Sequence, residues 1–65
     1  MKKGNRVKDR NTKKIGTITS TWRDDMGLLN VIVDFDYIES DVVYWSKTIL
    51  THGKQNFIDD LEVVV

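Results

Sequence analysis

The stretch Lys13–Asp36, KKIGTITSTWRDDMGLLNVIVDFD, decides the fold. Within it, KIGTITSTWR (14–23) sets Ile18, Ser20 and Trp22 against Thr17, Thr19 and Thr21, the period-two alternation of a strand. DDMG (24–27) then offers a hairpin connection ending in a glycine, which takes φ > 0 without steric cost. LLNVIVDFD (28–36) returns with Leu29, Val31, Val33 and Phe35 on one face and Leu28, Asn30, Ile32, Asp34 and Asp36 on the other. This reads as the central strand. Gly16 stands two residues before the first register begins, where a glycine marks a bulge or a sharp bend. A kink at Gly16 is therefore expected to let the long second strand curl.

Outward from this hairpin the chain remains β-like. NRVKDR (5–10) is a short strand with Val7 as its inward residue, and VVYWSK (42–47) is a fourth strand after the polar turn YIESD (37–41). TILTHGKQN (48–56) reads as a loop with a short strand at Ile49 and Leu50. FIDDLEVVV (57–65) predicts one turn of 3₁₀ helix around Asp59–Leu61, then a closing strand. Helix is disfavoured throughout: alanine is absent, and Val, Ile and Thr make up close to a third of the chain. The reading is all-β: one domain over residues 1–65, a small five-stranded barrel with a 3₁₀ turn before the last strand.

Sixty-five residues allow one small core, and 40% of them are hydrophobic, so nearly every large side chain is needed inside. With no cysteine, disulfides and thiolate zinc sites are excluded, and a reducing compartment is the natural setting. Lys2 and Lys3 precede polar residues rather than an apolar segment, so no secretory signal is read. The longest apolar run, LLNVIV, is far too short to span a bilayer. A cytoplasmic protein without membrane contact is expected.

Charge is balanced overall but unevenly spread. Residues 1–14 carry seven Lys/Arg and one Asp, net +6, and residues 15–65 carry three Lys/Arg and nine Asp/Glu, net −6. Such asymmetry fits either a basic arm for nucleic acid or a basic first strand paired with an acidic last strand in one closed sheet.

The segments KGNRVKDR, KKIGTITS, LNVIVDFD and NFIDDLEVV together resemble the SH3-like barrels, and the first hairpin resembles the KOW motif, a basic strand followed by K-x-G-x-I/V. Lys14, Gly16 and Ile18 occupy the matching positions. The order KGNRVK, GTITS, NVIVDF, NFIDDLEVV is also similar to the E-type docking barrels of photosystem I, and more loosely to the variable chain of ferredoxin–thioredoxin reductase. Those families are non-catalytic barrels that dock other proteins. The middle segment DFDYIESDVVYW departs from them, with Asp34 where the photosystem I family tends to carry a basic residue. Fold and docking character are what the resemblance implies.

No constellation for chemistry emerges. Asp34, Asp36, Glu39 and Asp41 are the densest acidic group, but an EF-hand loop would need an oxygen ligand at Ile38 and a glycine at Glu39. These acids read as a solvated strand end that discourages edge pairing. His52, the single histidine, lies in a loop beside Gly53, and Ser20, Ser40 and Ser46 have no activating context. The expectation is a non-enzymatic chain with no metal and no cofactor.

Two binding readings remain. In the first, the chain is an accessory or inhibitory docking module for a larger protein complex, anchored by aromatics among Trp22, Tyr37, Tyr44 and Trp45, with Arg23 beside them. One of Tyr44 and Trp45 must point outward, because strand neighbours face opposite sides. A core this small predicts that Trp22 is buried; displayed, it would be an anchor. In the second, Arg10, Lys13 and Lys14, flanking the DRNTKK connection, contact RNA or DNA phosphates as in a KOW-type module of a transcription or ribosomal assembly. The protein partner is favoured, since most of the surface is acidic.

Overall fold

A computed structural model describes residues 1–36, 41–47 and 53–64. Five antiparallel strands form one sheet: β1 (Arg6–Asp9), β2 (Ile15–Arg23), β3 (Leu29–Phe35), β4 (Asp41–Tyr44) and β5 (Leu61–Val63), with a 3₁₀ turn at Ile58–Asp60 leading into β5. The spatial order is β4-β3-β2-β1-β5, so the acidic last strand does lie against the basic first one. Lys8 faces Glu62 across that pair. The all-β class and the 3₁₀ turn before the last strand are as the sequence predicts.

Closure is not. The sheet is open, because β4 and β5 form no ladder with each other. Among the described residues a single parallel bridge, Trp45 to Phe57, spans from the end of β4 to the segment preceding β5. There Trp45 donates its amide to Asn56 O at 2.9 Å and accepts from the Ile58 amide at 2.9 Å. After that one exchange the backbone enters the 3₁₀ turn and carries β5 to the far edge of β1.

The core is Val7, Ile18, Val31, Val33, Phe35, Tyr44 and Leu61, contributed by all five strands. Gly16 lies in the middle of it, opposite Val7 on one side and Phe35 on the other. A Cβ at this position would sit 2.5 Å from Asp34 O and 2.8 Å from Phe35 Cα. The glycine thus permits close approach of β3, and the register runs through it without a shift.

The bulge falls three residues later, at Thr19, correcting the expected kink at Gly16. Ile18 pairs with Val33, but Ser20 pairs with Ile32, so Thr19 is the extra residue. A bulge of this kind re-aims the side chains beyond it. Ile18 faces inward with Val33, whereas Ser20 and Trp22 stand opposite Ile32 and Asn30 on the outer face. The single alternation read from Ile18 through Trp22 is therefore broken, and Trp22 is not a core residue: it is 38% exposed.

The β2–β3 hairpin forms as the sequence indicates. Gly27 has φ +78°, and Asp24 Oδ1 accepts from the Met26 and Leu28 amides at 2.9 and 3.0 Å. Arg23 donates to Gly27 O at 2.7 Å and so is engaged in this turn. The expected short strand at Ile49 and Leu50, together with His52, Tyr37 and Glu39, lies outside the described residues.

Candidate functional site

Two surfaces collect the candidate residues, at opposite ends of β2. The first is the β1–β2 connection. Asp9 organises it from below: its Oδ1 accepts from the Asn11 and Thr12 amides at 2.7 and 3.2 Å, and its own amide donates to Lys14 O at 2.9 Å. Lys13 turns the backbone with φ +66°, its amide returning to Asp9 O at 2.8 Å. Arg10, Lys13 and Lys14 are all exposed on this loop, as a phosphate-contacting loop requires. Arg10 lies 4.0 Å from Glu62, which offsets part of its charge.

Asp9 is a buried carboxylate, 4% exposed. Burial pushes its pKa up, but the Tyr44 hydroxyl, the Asn11 and Thr12 amides and the Lys14 charge outweigh this and hold it below the usual carboxylate value. Tyr44 donates to Asp9 Oδ2 at 2.5 Å. Burial first, and then the Asp9 carboxylate, push the phenol well above its ordinary value. Tyr44 is only 2% exposed and packs against Phe35, with ring centroids 6.2 Å apart. As a docking anchor Tyr44 is thereby corrected: of the Tyr44/Trp45 pair, it is the tyrosine that faces inward.

The second surface lies at the far end of β2, where the outer face carries Trp22. Trp45 meets it edge to face, with ring centroids 6.4 Å apart and planes at 83°. This contact is built from β3: buried Asn30 faces Trp22, donates from Nδ2 to Leu28 O at 3.1 Å, and accepts from the Ser46 amide at 3.4 Å. Ser46 Oγ also donates to Leu29 O. These bonds tie the residue after Trp45 to the start of β3 and so set the second indole beside the first.

Lysines complete the surface. Lys54 Nζ lies 4.2 Å from the centroid of the Trp45 ring, and Lys47 Nζ lies 5.6 Å from that of Phe57. Sequence reasoning missed both, along with Phe57, because an ammonium over a ring needs partners far apart in the chain. The signal present was only that two lysines, Lys47 and Lys54, lie between aromatic residues within 44–57. Along the same outer face Ile32 and Val43 oppose each other, both half-buried.

Of the acidic group, Asp34, Asp36 and Asp41 lie among the described residues and Glu39 does not. Arg6 grips Asp36 with two hydrogen bonds of 2.7 and 2.5 Å and donates to Thr17 Oγ1 at 2.8 Å. The hydrogen bond from Arg6 holds the Asp36 carboxyl below its ordinary value. Asp34 faces Asp41 across the β3–β4 pair. Among the described residues no group of three or more His, Cys, Asp or Glu is placed to hold a metal ion, and no helix is long and apolar enough to cross a membrane.

The basic loop and the indole pair do not form one site. Lys14 and Trp22 are separated by eight residues of strand, roughly 25 Å, in a molecule 30 Å long. No family model, curated protein or solved structure matches the chain.

Proposed function

We propose that the chain is a non-enzymatic protein-docking module, an accessory or inhibitory factor that binds a larger protein complex, with a fold akin to the SH3-like barrels. The observation that carries this reading is Trp22, turned outward by the Thr19 bulge and set edge-on against Trp45. Large aromatic side chains held in place at a surface supply the anchors of protein interfaces. Trp22 and Trp45 are the anchors, and Tyr37 lies outside the described residues. Arg23 supports the site by bracing the hairpin behind Trp22.

The test is capture from a lysate of the host, with and without nuclease, by the tagged chain and by its Trp22→Ala variant. Docking predicts a protein that survives nuclease and is lost with Trp22→Ala. Retention by both forms alike removes the reading.

A second reading, a KOW-type contact with RNA or DNA, is favoured by the exposure of Arg10, Lys13 and Lys14 on one ordered turn. Three phosphate contacts predict log K falling against log[salt] with a slope of about −2 to −3. Lys13→Glu with Lys14→Glu would abolish such binding at an unchanged melting temperature. Affinity indifferent to salt removes this alternative.

A further inference from the structure

Resting on the docking reading, we propose that the surface formed by Trp22, Trp45, Lys54, Phe57 and Lys47 takes an acidic peptide segment of the partner, with the two ammonium groups reading its carboxylates. The lysines and indoles of this surface present donors, while acids close by in the chain, Asp24, Asp25, Asp59 and Asp60, form no ion pair with either lysine among the described residues. Lys47 and Lys54 are exposed, and neither pairs with a carboxylate among the described residues. Each ammonium sits over an aromatic ring, which holds the cation in place while leaving N–H groups for a ligand. Neither indole N–H donates to another described residue. These side chains therefore present donors and positive charge beside exposed aromatic area, and the complementary ligand brings acceptors, negative charge and apolar groups.

A peptide fits better than a nucleic-acid strand because of where the acids lie. Asp24 and Asp25, both exposed, directly follow Trp22 and Arg23 in the chain, and Asp34 faces Asp41 towards the other end of the β3–β4 pair. A strand with a phosphate at every nucleotide, running along the β2–β3 direction, would meet carboxylates towards either end. An acidic peptide places its charges locally, at the lysines alone.

The experiment uses the emission of Trp22 and Trp45, the two tryptophans of the chain. The full chain is titrated with a synthetic peptide alternating Glu with Phe, the same peptide with Lys for Glu, and oligodeoxythymidine. The acidic peptide alone should give a saturable change. Its affinity should fall about fivefold or more in the Lys47→Gln/Lys54→Gln double variant, weaken as salt rises, and vanish in Trp22→Ala. Circular dichroism of the variants checks the fold.

Affinity unchanged in the double lysine variant, or equal binding of the Lys peptide, overturns the acidic-peptide proposal, and a loss confined to Trp22→Ala then leaves the docking surface standing. Binding indifferent to Trp22→Ala places the peptide elsewhere and overturns the acidic-peptide proposal. Binding of oligodeoxythymidine in place of the peptide assigns the surface to single strands and overturns the proposal. Absence of binding by any probe also overturns it, while the docking reading is judged separately by Trp22-dependent capture.

Discussion

Tyr44 gives its hydroxyl hydrogen to Asp9 across the core, from one edge strand of the sheet to the loop-bearing end of β1, 35 residues away in sequence. Asp9 in turn holds the backbone of the Asn11–Thr12 turn with its other oxygen. One buried carboxylate thus joins core packing to the shape of the basic loop.

Tyr44→Phe should destabilise the protein by roughly 1–3 kcal/mol, since a buried acceptor loses its donor while the ring still fills its place. Urea unfolding at neutral pH measures this. The same variant should loosen the Asn11–Thr12 turn, read as faster amide exchange at those two residues. A loss below a few tenths of a kcal/mol would show that the pair contributes little net stability.

The pH dependence follows from the directions of the two shifts. Asp9 titrates lower in the folded chain than its ordinary 3.8, so its contribution is present above that value and is lost as pH falls through the folded value. Tyr44 titrates higher than its ordinary 10.0, so its contribution is present below that value and is lost as pH rises through the folded value. Melting temperature should therefore be highest between these limits. Tyr44→Phe should flatten the alkaline limb, which melts at stepped pH would record.

Gly16→Ala should cost about 1–3 kcal/mol or more, because its Cβ would press on Asp34 O and Phe35 Cα, backbone atoms that cannot swing aside. Chemical denaturation of the variant is the check. Near-neutral behaviour would mean that β3 shifts away readily and that the close approach at Gly16 is not required.

Two aromatics of different exposure, Trp22 at 38% and Tyr44 at 2%, should respond differently. Trp22→Ala should lose about 1–3 kcal/mol, from partial burial and one edge contact, and keep its β-sheet circular dichroism. Tyr44→Ala should lose about 3–5 kcal/mol, most of what a domain of this size possesses. Comparable losses at the two positions would contradict the placement of Trp22 on the outer face.

Much of the fold was legible because strands announce themselves locally. The alternation in Leu29–Phe35, the Asp24–Gly27 turn and the 3₁₀ turn at Ile58–Asp60 each depend on residues close together in the chain. Val7, Ile18, Val31, Val33 and Phe35 were readable as inward positions for the same reason. The candidate site was legible only in part. Trp22 and Trp45 were nameable as candidate anchors, with Trp22 expected inside and the choice between Tyr44 and Trp45 open, and Lys54, Lys47 and Phe57 join them only through contacts made after folding.

By itself the sequence determined the strand count, the hairpin and the antiparallel character, because backbone sterics and burial act over neighbouring residues. Tertiary structure decided which way Trp22 faces, which of Tyr44 and Trp45 is buried, and that the sheet stays open. Each of these depends on a cross-strand register, and one extra residue at Thr19 changes that register without altering any local preference. A periodic pattern cannot reveal where its own period slips, since the slip is set by the partner strand.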